Sequence, residues 1–402
     1  MDRRVFYLSV ARFIRVVGRM STFIFLPIIF VNSYGLSLLE TGVITASATA
    51  VMAVIQYFSG PWSDRFGRKF FLEVVPFFTA IAYMALFWAV GYSSNLGYMI
   101  IFWLSTMFLA SLQFPAIQAS VADLTASGDR LAGYTYVRVF ANLGAAIGPM
   151  IGAFLAVYGF QWIFLIAGVT SALEGVLLYF AVGETFTGVR VKKVKGAKES
   201  SRFSMNPFLI MFTLAGILFG FAIRQTGPAF TLYIFDVRDI SIISVGIIYS
   251  LNGLLVVLLQ VPIFRLMNRK SNVMVWRALG TMIYGISFLL LVIFTGELAF
   301  LFIMGLITIG EDFSSPTTQT ILMEVAPESL RGDYVGKYSF ITSFGRIAGT
   351  IVGLGLLQYF YSEASIFWLI ISILTFASSA WFFSMSAAFL RITGKSQNIP
   401  ES

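Results

Sequence analysis

The sequence contains no cysteine and no histidine among its 402 residues. Without cysteine there is no disulfide, no thiolate nucleophile and no cysteine-bound metal. Without histidine, the side chain that titrates most readily near neutral pH is missing, and any proton relay falls to carboxylates. Charge is scarce too: Asp, Glu, Lys and Arg make up 11% of the residues, against about 25% in soluble domains. Gly-x-Ser-x-Gly and His-Glu-x2-His patterns are absent, so neither a serine elbow nor a zinc pair is available for enzyme chemistry. The expectation is a protein that is not an enzyme and needs no cofactor or metal.

Apolar residues fill the space that charge vacates. They reach 58% of the chain, with a mean hydropathy of +0.86. Runs of about 20 apolar residues recur, each long enough to cross a hydrocarbon core of about 30 Å. Twelve are counted, beginning near Val5, Glu40, Leu72, Leu96, Leu131 and Trp162, then near Pro207, Ile242, Val273, Leu298, Asp333 and Ser365. Connections are short, and several carry breakers such as Asn32-Ser33-Tyr34-Gly35. The one long polar stretch, Gly183 to Asn206, is basic and separates two halves.

Lys and Arg sort onto one side. Arg3 and Arg4, Arg65 to Lys69, Arg130, the central stretch, Arg265 to Lys270, Arg331 and Arg391 all fall there, and Arg238 stands nearly alone opposite. Basic loops are retained in the cytoplasm, so both termini are expected inside a cell (cytoplasmic) membrane. The net charge of +8 therefore reads as membrane orientation rather than nucleic-acid binding. No cleavable signal is expected, because Met1-Asp2-Arg3-Arg4 leads into an arginine-bearing hydrophobic stretch without a small-residue cleavage site.

The chain also repeats itself. Pro115, Gln118, Asp123, Arg130, Gly144, Gly148 and Gly152 recur as Pro316, Gln319, Glu324, Arg331, Gly345, Gly349 and Gly353, each 201 positions on. Gly42 and Gln56 recur as Gly246 and Gln260, 204 positions on. The expected architecture is an all-α membrane protein of twelve transmembrane helices in two pseudo-symmetric six-helix bundles. Its parts are residues 1–184, a cytoplasmic basic linker 185–206, and residues 207–402. Such duplicated bundles carry substrates at the seam between repeats.

Between the second and third runs stands Gly60-Pro61-Trp62-Ser63-Asp64-Arg65-Phe66-Gly67-Arg68-Lys69. This resembles the loop motif of the major facilitator superfamily, Gly-x3-Asp-Arg-x-Gly-Arg-Lys/Arg. Trp62 stands where an aliphatic residue is usual. The second half carries a decayed copy, Phe264 to Lys270, with Asn268 at the place of Asp64. The resemblance implies that Asp64 caps the positive end of the eleventh span near Gly336 and that Arg68 pairs with Asp123. With Gly60, Arg65 and Gly67, these residues would latch the halves in one state and release them in the other.

The fifth run holds Gly144-x3-Gly148-Pro149-x2-Gly152-Ala153. Small residues every fourth position make a groove for a neighbouring backbone, and Pro149 removes a helix hydrogen bond. The pattern is similar to the fifth-span motif of the superfamily's drug/proton antiporters, although Ala153 and Thr135 stand where that motif has glycine. Thr350 replaces the proline in the repeat.

Ionisable residues deep in a bilayer cost roughly 2.5–3.5 kcal/mol each by insertion scales, so each calls for a reason. The deep candidates are Arg19, Arg138, Glu174, Arg224, Glu311, Asp312 and Arg346, whereas Arg12 and Arg15 are expected to snorkel to the cytoplasmic surface. Glu311 and Asp312 occupy positions that are Ala110 and Ser111 in the first repeat. Adjacent carboxylates repel and burial adds to this, so the pair is suited to hold a proton. Arg346, Arg224, Arg19 and Arg138 are candidate partners for substrate or acid. Unlike the drug/proton antiporters it resembles, the chain has no charge in the fourth run and no acid in the first.

The expected function is a secondary active transporter working by alternating access: proton-coupled efflux of amphipathic small molecules. Its partners would be a small-molecule substrate, protons or another coupling ion, and the lipid bilayer, with the chain acting as a monomer. An importer or facilitator of a polar metabolite such as an organic anion stands as the alternative, because buried arginines outnumber buried acids. A non-transporting membrane sensor is the third reading.

Overall fold

The computed structural model describes residues 2–126, 129–185, 207–267, 272–327 and 330–394. Within these ranges the side chains of Tyr57, Gly60, Pro61, Asp64, Leu131, Gly332 and Asp333 are not described. The expected linker beyond Thr185 and the loop around Asn268 lie outside the described residues.

The described residues are all-helical and contain no strand. Twelve helices are long and apolar enough to cross a membrane. The first six spans are Arg3–Ser33, Leu38–Gln56, Phe70–Ser93, Leu96–Leu124, Ala132–Tyr158 and Gln161–Ala181. The second six are Pro207–Val237, Ile242–Met267, Val273–Ile293, Glu297–Val325, Tyr334–Tyr359 and Tyr361–Ile392. Each begins within about one helical turn of the position read from the sequence.

Local chemistry sets the helix ends. Ser37 and Glu40 form a reciprocal cap on the second span: Glu40 N donates to Ser37 Oγ at 3.2 Å, and Ser37 N donates to Glu40 Oε2 at 2.8 Å. Asn95 Oδ1 accepts from Gly97 N and Tyr98 N at the start of the fourth span. Gly67 closes the helix of the second span with φ +86°, a conformation that a side chain disfavours.

The chain falls into two compact units. One holds the first six spans with Thr231–Val257; the other runs up to Phe230 and resumes at Leu258. In the first unit the fifth span packs on the first through its glycines. A Cβ on Gly144 would lie 2.8 Å from Phe13 O, one on Gly148 2.7 Å from Val17 O, and one on Gly152 would collide with Ser21 O. In the second unit the eleventh span packs on the seventh in the same way, with Gly345 against Ile217 O, Gly349 2.6 Å from Phe221 O, and Gly353 against Gln225. The two echoes thus have one structural meaning. Positions 13, 17 and 21 answer to 217, 221 and 225, and the shift from 204 to 201 absorbs three residues lying between the second and fourth spans.

The opposite face of the fifth span receives Ile242–Met267. A Cβ on Gly246 would lie 2.8 Å from Pro149 O, and one on Gly253 2.5 Å from Ala146 N. Met150 N donates to Ser250 Oγ at 3.1 Å. Helix Arg130–Tyr158 continues unbroken through Pro149. The first and seventh spans both loosen into a π-helical turn at the same repeat position, Ile29–Ser33 and Tyr233–Val237. There Asn32 Nδ2 donates to Asp236 Oδ1 at 3.2 Å.

Candidate functional site

The loop after the second span is tied down from three sides. Arg68 is buried; its Nε donates to Asp123 Oδ2 at 3.2 Å and its Nη1 to Ser63 Oγ at 3.0 Å. The carboxylate of Glu184 accepts from Arg68 N and Lys69 N, each at 3.1 Å, so it caps the start of the third span. A Cβ on Gly67 would lie 2.8 Å from Glu184 Oε2, and the φ of +86° there disfavours any side chain. Arg65 is exposed, with its guanidinium over Phe66. The side chains of Gly60 and Asp64 lie outside what is described, and with them the cap on the eleventh span; Gly336 has open space around it.

Inside the first unit the charges do not lie where the sequence placed them. Arg15 does not snorkel. It is buried, and its Nη1 donates to Glu174 Oε2 at 3.1 Å, with side-chain exposures of 6% and 0%. Gln113 of the fourth span donates from Nε2 to Glu174 Oε1 at 3.1 Å. The uncharged fourth span thereby supplies the polar partner that lets the first and sixth spans share a buried ion pair. Arg12 is half-buried, with its guanidinium 5.8 Å from the Phe114 ring centre. Arg19, near the middle of its span, is half-buried with its guanidinium 5.7 Å from the Phe23 ring centre. Its Nε is shielded from solvent and has no hydrogen-bond partner among the described residues. Arg138 is exposed on the fifth span.

The second unit holds the acids. Asp312 is buried, at 4% exposure, and Glu311 is half-buried. The ninth and tenth spans cross closely beside them: a Cβ on Gly280 would lie 2.8 Å from Gly310 O, and one on Gly310 3.0 Å from the Tyr284 ring. Tyr284 is within electrostatic reach of Glu311, Asp312 and Arg277. Pro316 lies inside the tenth helix and leaves the carbonyl of Asp312 without its helical N–H. Two residues on from that acid, Ser314 O accepts from Arg277 Nη1 at 2.9 Å. The Arg277 guanidinium is clasped between Phe219 at 4.3 Å and Phe382 at 4.6 Å.

Arg346 and Arg224 each have a hydrogen-bond partner on the eleventh span. Arg346 Nη2 donates to Ser339 O at 3.4 Å. Arg224 Nε donates to Thr350 Oγ1 at 2.9 Å, so the threonine that replaces the repeat's proline serves as its partner. Arg277, Gln113 and Glu184 escaped the sequence reading. Arg277 sits one turn into a hydrophobic run, where a basic residue passes for an interfacial one. Only the i+201 comparison of Asp123 with Glu324 hints that acids at span ends matter.

An apolar groove of about 570 Å³ runs along the second, third and fourth spans, lined by Val51, Phe78, Ile81, Phe102 and Phe108 among others. No charged residue lines it. No group of three or more Asp or Glu residues able to hold a metal ion occurs among the described residues.

Known proteins share this arrangement. The chain is 28% identical over 360 residues to a Na(+), Li(+), K(+)/H(+) antiporter of Planococcus maritimus, covering 82% of this chain and 84% of the relative. It is 24% identical to multidrug resistance protein 1 of Bacillus subtilis (80% and 82% covered) and 23% identical to the quinolone resistance protein NorA of Staphylococcus aureus (91% and 93%). Among solved structures it matches a peptide transporter POT bound to sulfate, with TM-score 0.79 at 17% identity over 98% of this chain and 96% of the other. It also matches an inward-facing, unoccupied bacterial homolog of the human lysosomal transporter Spinster, with TM-score 0.77 at 14% identity (97% and 98%). A sequence model of the Major Facilitator Superfamily matches residues 8–350, and with twelve spans in two repeats the chain belongs to that superfamily of transporters.

Proposed function

We propose that the protein is a secondary active antiporter, working by alternating access of its two repeats, that exports an amphipathic small molecule or cation in exchange for protons. Glu311 and Asp312 are the proton-handling pair. The observation that carries this reading is a buried carboxylate, Asp312, with a half-buried one beside it, at repeat positions where the first half has Ala110 and Ser111. Adjacent carboxylates repel and burial adds to this, so the pair is suited to hold a proton. Relatives named as a cation/proton antiporter and as drug-resistance proteins are consistent with it. The distribution of Lys and Arg supports a cell-membrane protein with both termini on the cytoplasmic side. The chain would act as a monomer, since one chain supplies both repeats.

The test is reconstitution in liposomes with an imposed pH gradient. Alkali cations, lipophilic cations, sugars and organic acids are each offered as substrate. At least one is expected to accumulate against its own gradient, and a protonophore is expected to abolish that accumulation. Flux that ignores the pH gradient for every substrate transported sinks the reading.

A second reading, movement of an organic anion, is favoured by Arg19. It is half-buried within its span and makes no ion pair among the described residues.

A further inference from the structure

The first span presents one face that helix packing leaves uncommitted. Phe13, Val16, Val17 and Ser21 meet the glycines of the fifth span, and Gly18 meets Ala167 and Thr170 of the sixth. Arg15 is held by Glu174. Arg12, Arg19 and Phe23, all half-buried, stand outside these contacts. Seven residues make nearly two helical turns, so Arg12 and Arg19 leave the same face about 10.5 Å apart along the axis, with Phe23 one turn further on.

Among the described residues neither arginine forms an ion pair with a carboxylate. Glu174, the buried acid of this unit's sixth span, is engaged by Arg15 and Gln113, and Arg19 Nε has no hydrogen-bond partner among the described residues. Each guanidinium instead lies over an aromatic ring, Phe114 or Phe23. A ring contact uses none of a guanidinium's N–H groups, which stay suited to a planar, bidentate acceptor.

We propose that Arg19, supported by Arg12 and Phe23, is an anion-binding site of the first repeat that takes the carboxylate of an amphipathic substrate, with the substrate's flat apolar body against Phe23. This rests on the transport reading above and names a substrate class for it. A quaternary ammonium compound lacks the group this site recognises. An aromatic carboxylate has both the charge and the ring.

The experiment is equilibrium binding of radiolabelled 1-naphthoate to the full chain in lipid nanodiscs, with no ion gradient. Unlabelled methyl 1-naphthoate and (1-naphthylmethyl)trimethylammonium are the competitors. Saturable 1-naphthoate binding is expected, with both competitors at least tenfold weaker than unlabelled 1-naphthoate. Arg19→Gln is expected to weaken binding at least tenfold and Arg19→Lys less, since it keeps charge but loses the fork. Arg12→Gln is expected to cost several-fold. Arg265→Gln, at an exposed position on the eighth span, is the charge-matched control expected to leave binding unchanged. Absence of saturable 1-naphthoate binding, equal competition by the ammonium compound, or full affinity in Arg19→Gln overturns the proposal. Should Arg19→Gln fail to fold, the competitor series on the unaltered protein and the Arg19→Lys variant decide. Binding without a gradient reads this site alone, so its failure leaves the coupling role of Glu311 and Asp312 to the flux assay.

Discussion

Arg15 and Glu174, 159 positions apart in sequence, form an ion pair of 3.1 Å in which the carboxylate is fully shielded from solvent. Gln113 satisfies the second carboxylate oxygen, so three spans meet at one acid. Such a pair is costly to assemble and costlier to break, because removal of one partner strands the other in a medium that cannot solvate it. Glu174→Leu is therefore expected to destabilise the protein by about 3–5 kcal/mol. Arg15→Met combined with Glu174→Leu should recover most of that loss. Unfolding in detergent measures both, and a double variant no better than the single one would show that the pair is not the origin of the cost.

How much of this was legible beforehand depends on the kind of signal. Span positions were readable because hydrocarbon thickness imposes a run length that no tertiary contact can disguise. The glycine echo was readable because Gly148 and Gly349 do the same job against Val17 and Phe221. Arg15 and Arg277 were misjudged or missed for one reason: near a span end, sequence position alone does not separate a snorkelling arginine from one folded inward. Facing decides it, and facing depends on which neighbours arrive. Arg15 meets Glu174, and Arg277 meets Ser314 O between two phenylalanine rings. Glu184 was hidden because its partners are backbone N–H groups, which carry no residue signature.

The close approach of the first and fifth spans yields a second prediction. A Cβ on Gly148 would lie 2.7 Å from both Met20 Cβ and Val17 O, and the backbone atom cannot yield as a flexible side-chain tip would. Gly148→Leu is expected to cost about 1–3 kcal/mol or more through overpacking and to lower transport. Gly35→Ala marks the contrast: nothing lies within 4 Å of its Cβ site, so the cost there comes only from its φ of +68°. A Gly148→Leu protein with native stability and transport would show that this seam is loose.

Arg68 bridges Ser63 and Asp123 next to a loop whose backbone is capped by Glu184. If this cluster holds one state of the transport cycle, Arg68→Gln and Asp123→Asn should each slow turnover about tenfold, equivalent to about 1.4 kcal/mol on the conformational step. Binding of substrate without a gradient should change little. Glu184→Gln keeps one acceptor oxygen but replaces the other with an NH2 that cannot accept, so it loses one of the two backbone bonds with the charge, and a smaller slowing is expected. Initial rates in liposomes check this, and unchanged rates in both Arg68→Gln and Asp123→Asn remove the cluster from the cycle.

The two adjacent acids at the middle of the tenth span should not behave alike. Asp312 is buried beside the Gly280–Gly310 crossing, one residue from the half-buried Glu311. A buried carboxylate reaches bulk protons only through a neighbour or a conformational change, whereas a half-exposed one can pass them directly. Glu311→Gln is accordingly expected to slow proton delivery, lowering the rate of pH-driven accumulation while leaving its final level nearly intact. Asp312→Asn removes the storage position itself and should abolish accumulation while substrate exchange at equal concentrations persists. Time courses of accumulation and of exchange, run on both variants in liposomes, separate rate from end point. If Asp312→Asn still concentrates substrate to the level of the unaltered protein, the protons that drive transport are carried elsewhere.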